Sequence, residues 1–214
     1  MKIIKPKIAK DLLDKDLKSL LKTETHIENF VVRGLDYPNL QAPHVSIENA
    51  IIHKANFANA KLQQLELQDT VISLGDLSSA NISNGYLNRV EFRGERMTGL
   101  NLPESSLENV RLEGCKLNLA NFKFSKLKNV IFSNCILNEA DFQGAELLKV
   151  DFSECEMTKI QFSHCAMRDV DMRRSHISEI NGVTALKGAV LDSTQLIQIA
   201  LELAAGIGII IKDE

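Results

Sequence analysis

Large apolar residues recur at every fifth position of this chain, and this period constrains the fold more than any other feature. The phase holds without a slip from Ile47 to Ile177. In the stretch from 133 to 155 it reads Leu137, Phe142, Leu147 and Phe152. A period of five matches neither the 3.6 residues of a helix nor the two of a strand. Because the repeat is uninterrupted, it predicts one elongated repeat domain.

A second column lies two residues before each large apolar residue and is mostly small or β-branched. Its members include Ala50, Ala80, Val110, Cys135 and Ala140. The residue directly before the large one is often Asn or Asp. This A(D/N)LXX pattern, over roughly residues 27–191, resembles that of the pentapeptide-repeat family. The resemblance implies an all-β fold, a right-handed quadrilateral parallel β-helix with one pentapeptide on each side.

Four such pentapeptide sides would make one coil, with both apolar columns pointing inward. Equivalent residues of adjacent coils should then stack at the strand spacing of ~4.8 Å. The sequence offers an independent check, since like residues recur once per coil: Cys115, Cys135 and Cys155; Phe122, Phe142 and Phe162; Asn81, Asn101 and Asn121. About eight coils would form a rod roughly 40 Å long at that spacing.

The two ends of the chain depart from the repeat, which suggests three segments: residues 1–26, 27–191 and 192–214. Leucines among charges in residues 8–22 indicate a short amphipathic helix or an irregular cap. A cap is needed because a β-helix ends in unpaired strand edges and an open apolar section. The alternative is an arm that binds a partner.

The C-terminal segment predicts a helix that begins after Asp192 as N-cap, with Gln195 three residues later as in a capping box, and ends at Gly206. The apolar residues of this segment exceed what the end of one rod can cover. This surplus predicts a symmetric homodimer. Its interface candidates are Leu196, Ile197, Leu201, Ile207, Ile209 and Ile211.

The closing stretch "LKGAVLDSTQLIQIALELAAGIGIII" is similar to the last segment of the Qnr proteins. The matching places are Gly188, Leu191, Gln195 and Gly208–Ile209, although Ala205 and Gly206 lengthen the join. The resemblance implies a non-enzymatic partner of DNA gyrase or topoisomerase IV that dimerises through its C-terminal end. It also implies mimicry of duplex DNA and protection of these enzymes from quinolones.

Two features depart from the Qnr pattern. No loop interrupts the phase between 47 and 177, and the net charge is only −3, whereas strong DNA mimics are markedly acidic. The outward acids Asp141, Asp151 and Asp171 are nevertheless the candidates for contact with a partner. The alternative function is a structural scaffold that binds some other protein.

Some outward columns carry apolar residues. Leu119 and Ile136 should touch across adjacent coils, and Phe124 lies on a neighbouring face. Together they form a candidate contact patch, although scattered exposed apolar residues are also ordinary.

No sequence motif of catalysis, phosphate binding or cofactor binding is present, so we expect a protein that is not an enzyme and has no cofactor or metal. The cysteines lack metal-ligand spacing, and packing is favoured over a disulfide or a metal site. Glu95 is the one charge in the small inward column. Either the wall bulges and turns it outward, or Arg93 or Arg96 pairs with it; a bulge is favoured.

Localisation and partners follow from composition. The longest apolar run is far shorter than the ~20 residues of a membrane span, and lysines break the apolar core that a signal peptide would need. We therefore expect a cytoplasmic protein with no membrane contact. A pI near 6.0 also gives no reason to expect direct binding of nucleic acid.

Overall fold

A computed structural model describes residues 1–21, 25–210 and 212 of the chain. These residues form a right-handed parallel β-helix of square section, as the resemblance to the pentapeptide-repeat family implies. The strands are β1 (Leu13–Asp14), β2 (His26–Arg33), β3 (Ser46–His53), β4 (Glu66–Ser73), β5 (Tyr86–Arg93), β6 (Ser106–Glu113), β7 (Lys126–Ser133), β8 (Glu146–Ser153), β9 (Glu156–Thr158), β10 (Ala166–Asp171), β11 (His176–Ser178) and β12 (Ala189–Val190). The helices are α1 (Leu17–Leu20), a 3-10 helix (Val183–Leu186), α2 (Ser193–Gln198) and α3 (Ala200–Gly206).

Successive coils pair in parallel, and each residue lies opposite its counterpart four pentapeptides later. One sheet has the order β1 to β8, then β10 and β12, and β9 pairs with β11 in a second. Leu107 lies opposite Leu127, and on other sides single bridges such as Asn81 with Asn101 carry the same register. The stacking of coil on coil predicted from the cysteine and phenylalanine spacings is therefore confirmed.

The corners of the square explain why the repeat has five residues. Every fifth residue from 29 to 179 has a positive φ, for example 55° at Asn129 and 69° at Gly144. A left-handed residue turns the chain sharply, and Gly and Asn adopt this conformation at the least cost. Each side is therefore a short extended segment that ends at a left-handed corner.

The core consists of stacked columns of the large apolar residues, all of which are buried between 47 and 177 except the half-buried Met167. Phe122 and Phe142 stack with ring centroids 4.6 Å apart and planes 4° from parallel. A second phenylalanine ladder stacks beside it, with Phe132 and Phe152 at 4.9 Å. The two ladders meet edge to face at 6.0 to 6.3 Å, an arrangement that aromatic rings favour.

Polar side chains in the small inward column form hydrogen bonds with the main chain. This column contains Cys115, Cys135 and Cys155. Each thiol donates to a main-chain carbonyl of the preceding coil, at 3.4 to 3.7 Å. All the described cysteines are free, and these three are buried. They pack as small side chains, as expected.

Glu95 lies in this same column, and the expected bulge is wrong. The wall keeps its register through Arg96, which bridges Asp76 and Lys116 on the adjacent coils, and Glu95 is only 1% exposed. The larger side chain fits because Gly75, one coil earlier, has none: a Cβ there would lie 3.0 Å from Glu95 Oε2. The Gly75 N–H donates to Glu95 Oε1 at 2.8 Å.

The C-terminal end of the rod is closed by Gln195, which takes the place after Ser175 in that column. Its amide donates to the carbonyls of Met172 and Ser175 at 2.6 and 2.7 Å. The predicted capping box with Asp192 is present. The expected single helix is divided into α2 and α3 at Ile199, whose φ of −101° and ψ of 11° depart from helical values and whose side chain is fully buried.

The N-terminal end is an irregular cap with one short helix. Leu17 of α1 is fully buried in the core, and β1 pairs with β2 at the rod's edge. Residues 1–9, which we call the strap, run along the outer wall.

Candidate functional site

The three outward acids predicted to meet a partner each have a cation beside them in the free protein. Asp141 accepts from Lys123 Nζ at 3.0 Å, and Asp151 lies 3.4 Å from the terminal amine of Met1. Asp171 accepts from Arg173 at 2.7 Å. The hydrogen bond from Arg173, which outweighs partial burial, holds the pKa of the Asp171 carboxyl below its ordinary value. Each acid therefore has a positive group of the same protein close by.

Asp141 continues a row of amides along one face of the rod. The Asn101 amide donates to Asn81 Oδ1 at 3.2 Å, and the Asn121 amide donates to Asn101 Oδ1 at 2.7 Å. Several oxygens in the row also accept a main-chain N–H two residues ahead, as Asp141 does from Gln143. The row thus satisfies itself along the rod axis and stiffens the wall.

The predicted apolar patch is exposed at two of its three members. Leu119 and Phe124 are 56% and 58% exposed, while Ile136 is half-buried. Both exposed residues occupy left-handed corners, with φ of 59° and 57°. Bulky apolar residues are costly in this conformation, so neither position is explained by the needs of the fold.

The ring of Phe124 depends on the glycine one coil later. A Cβ on Gly144 would lie 2.5 Å from Cδ1 of the ring. The pair therefore places a flat aromatic surface on the outside of the rod. Leu119 lies at the edge of a shallow groove that also includes Glu139, Lys159 and Glu202.

The dimer candidates form an apolar surface at the C-terminal end. Within the described residues the exposed fractions are 52% at Leu196, 76% at Ile197, 68% at Leu201, 70% at Ile207 and 53% at Ile209. Ile211 lies outside the described residues. Ile210, another residue of the apolar surplus at this end, is 81% exposed and extends the same surface.

Two thiols of the described chain have a raised pKa. The thiols of Cys115 and Cys155, together with burial, raise the pKa of Cys135 far above its ordinary value, and burial raises the pKa of Cys165 to about 12. Such thiols are protonated and poorly nucleophilic at neutral pH. In the described part of the chain, side-chain atoms of His26, Glu28 and Glu48 lie close enough to share a metal ion. This cluster is on the surface of the rod.

None of the helices in residues 1–21 and 25–210 has the length and apolar character needed to cross a membrane.

The strap is the feature that sequence reasoning missed. Its hydrogen-bond acceptors, Asn49, Asp69 and Asn109, belong to one outward column that recurs once per coil. The polar character of that column was visible in the sequence. Residues 1–9 have no periodic pattern, so nothing in the sequence indicated that they would pack on this column.

Comparison with known proteins places these features in context. A family model described as "Pentapeptide repeat region" matches residues 75–142 and 105–181, which together span half of the chain. A search of curated proteins finds no significant match.

Several solved structures are similar at low identity. A trypsin-treated variant of QnrB1, described as a plasmid-mediated fluoroquinolone resistance protein, is 19% identical over 88% of this chain and 92% of that one, with a TM-score of 0.35. HetL from Nostoc sp. strain PCC 7120, described as involved in heterocyst differentiation regulation, is 13% identical over 83% and 95%, with a TM-score of 0.25. Rfr23 from Cyanothece 51142 is 14% identical over 82% and 97%, with a TM-score of 0.24.

Proposed function

Because this chain belongs to the pentapeptide-repeat family, we propose that it is a non-enzymatic rod that binds a type II topoisomerase, DNA gyrase or topoisomerase IV, and protects it from quinolones. The C-terminal segment carries the proposal. Its sequence resembles the closing segment of the Qnr proteins, and Gln195, one of the matching places, closes the end of the coil stack.

The exposed apolar end supports a dimer as the active form. Leu201 and Ile207 project from a short helical segment with little else to cover them, and contiguous apolar surface of this kind is typical of an interface. Two rods of roughly 40 Å each, joined at these ends, would match the length of about 25 base pairs at 3.4 Å per pair. Such a dimer fits a groove shaped for duplex DNA.

The charges favour contact by shape and short-range pairing over long-range attraction. Asp141 and Asp171 already pair with cations of the rod, so basic side chains of a partner would have to replace Lys123 and Arg173. Exposed charges are screened within ~10 Å at 0.1 M salt. We therefore expect the binding to be modest in strength and sensitive to salt.

The apolar corners Leu119 and Phe124 supply the contacts that charge does not. They are exposed, and they occupy corners where Asn or Gly would be easier to accommodate. Residues kept in an unfavourable conformation on the surface are candidates for function.

The test is a supercoiling assay with purified gyrase and ciprofloxacin, with and without this protein. We expect restored supercoiling, loss of this effect in a Leu119→Ser, Phe124→Ser double variant, and retention in Asn134→Ser, a change at an exposed corner that carries a polar side chain. The absence of rescue, of inhibition and of a complex at low salt with both enzymes would contradict the proposal.

The alternative is a scaffold that binds a different protein. The near balance of charge and the ion pairs beside the outward acids favour it, because a mimic of DNA would benefit from unpaired acids. If neither topoisomerase binds in the assay, the scaffold function is the one that remains.

A further inference from the structure

The strap is bound to the wall mainly through its backbone. Three of its N–H groups donate to wall side chains: Ala9 to Asn49 Oδ1 at 2.8 Å, Lys7 to Asp69 Oδ1 at 2.8 Å, and Ile4 to Asn109 Oδ1 at 3.4 Å. At the far end the terminal amine of Met1 meets Asp151. The acceptors follow one wall of the rod, so the wall provides a row of regularly spaced acceptors for an extended chain.

The spacing of the acceptors requires an extended chain. Asn49 and Asn109 are three coils apart, which is ~14 Å along the rod. The stretch from Ile4 to Ala9 spans at most ~17 Å when extended. Pro6 lies between two donors, at a place where no N–H is needed. The strap therefore runs along the rod axis, with its N-terminus toward the C-terminal end of the rod.

The wall beneath the strap is more buried than any other outward surface of the coils. Between residues 47 and 177, the outward positions that are buried are Asp69, Glu91, Asn109 and Ile131. All four lie on this wall. Ile3 of the strap is itself only 9% exposed. The strap thus runs over a wall on which Asp69 and Asn109, two of its acceptors, are buried.

The hydrogen-bond acceptors of this wall select an extended main chain and not a particular series of side chains. Asp69 accepts from Arg89 at 2.5 and 2.7 Å as well as from the Lys7 N–H; these contacts outweigh the effect of burial and lower the pKa of its carboxyl. Because the wall binds main-chain donors, it tolerates many side chains. The strap contributes one buried isoleucine among lysines.

We propose that this wall is a binding groove for an extended, basic segment of a partner protein, and that the strap occupies the groove in the free protein. The partner segment must supply main-chain N–H donors at the spacing of the coils, together with one apolar residue at the place of Ile3. It must also displace the strap. This inference is independent of which enzyme the rod binds.

The test separates the strap from the rod after folding. A specific protease site is inserted between Lys10 and Asp11, which are both exposed, and the cut strap is replaced by a fluorescent copy of residues 1–10. We expect saturable binding to the cut rod by fluorescence anisotropy and no binding to the uncut protein. A peptide N-methylated at Lys7 should bind about tenfold more weakly.

A matched control peptide is N-methylated at Lys5, whose N–H makes no hydrogen bond among the described residues, and should bind like the unmodified peptide. The absence of saturable binding below millimolar concentration, or equal weakening by both methyl groups, would overturn the proposal.

A second measurement tests the proposal if the cut rod does not remain folded. In the intact protein, the amide of Ala9 should exchange slowly with solvent, and Asn49→Ala should accelerate its exchange about tenfold. Unprotected amides at Lys7 and Ala9 in the intact chain would mean that the strap does not occupy the wall.

Discussion

At the scale of single residues, the inward column shows how one side chain can be accommodated against the pattern. Glu95 is buried where other coils carry Cys, Ser or Ala, and it fits because Gly75 beneath it leaves room. Its Oε2 accepts no hydrogen bond among the described residues. Burial, with a smaller effect from nearby Asp76, raises the pKa of this carboxyl from 4.5 to about 7. The folded rod therefore favours the neutral acid.

This pKa makes stability depend on pH. Between pH 4.5 and 7 the unfolded chain loses the proton of Glu95 while the fold retains it, so the free energy of unfolding should fall by about 3 kcal/mol as pH rises. Glu95→Gln should remove this dependence and stabilise the protein above pH 7. Urea titrations at pH 4.5, 6 and 7.5 measure it. The exposed Glu113→Gln is the control; equal slopes in all three proteins would refute the assignment.

The corners provide a second test at the residue scale. Leu119 has a left-handed backbone and is exposed, so Leu119→Asn should relieve strain and stabilise the fold by about 1 kcal/mol. Leu148→Asn, at an outward place of β8 that is not a corner, should give no such gain. Denaturant titration compares them. A loss of stability in Leu119→Asn would show that the leucine contributes to the fold.

At the scale of elements, the phenylalanine ladders are the best-packed part of the core. Phe142 stacks on Phe122 at 4.6 Å and meets Phe162 at 5.6 Å. Each ring thus contacts the coil before and the coil after. Side chains that link neighbouring coils carry the cooperativity of a solenoid, because each repeat touches only its neighbours.

Truncation within a ladder should therefore be costly. Phe142→Ala should lower the free energy of unfolding by ~3–5 kcal/mol, as for other buried phenylalanines. Phe124→Ala, which removes an exposed ring, should cost far less. If denaturant titration gives a loss below about 1 kcal/mol for Phe142→Ala, the column is not stacked inside the rod.

Sequence reasoning succeeded for the elements that repeat. It failed where the position of a side chain depends on its neighbours one coil away. The inward places of Cys135 and Phe142 follow from the period together with the square coil that the family resemblance implies. The place of Glu95 does not, because it depends on the missing side chain of Gly75. The left-handed corners leave only a weak signal in the sequence, an excess of Asn at the corner positions. The path of the strap depends on contacts between segments remote in sequence, such as Lys7 with Asp69, which no periodicity encodes.

At the scale of the whole molecule, the two ends of the rod are closed differently. The N-terminal end is sealed by Leu17 and the edge strand β1, whereas the C-terminal end places apolar residues of α2 and α3 in solvent. A rod with one covered and one uncovered end can join only one other copy at that end. The proposed dimer would therefore have closed two-fold symmetry.

The dimer can be tested by placing charge on this surface. Leu201→Asp with Ile209→Asp should give a monomer or an aggregating rod, because buried unpaired carboxylates are costly. Leu74→Asp, an equally exposed site on the coil wall, is the control. Sedimentation velocity at micromolar concentration measures the state; an unmodified protein that is already monomeric there would rule out the dimer.

The four-sided register has a consequence for how this rod tolerates insertions and deletions. Loss or gain of one whole coil changes only the length, and every downstream wall keeps its direction. Loss of a single pentapeptide preserves the inward phase but turns everything beyond it by a quarter of a revolution. Asn109 would then leave the wall of Asn49, and the strap would find its acceptors on two different sides. In this fold the number of pentapeptides therefore sets the direction in which each later wall faces. Adding or deleting a single pentapeptide is enough to redirect a binding face without disturbing the core.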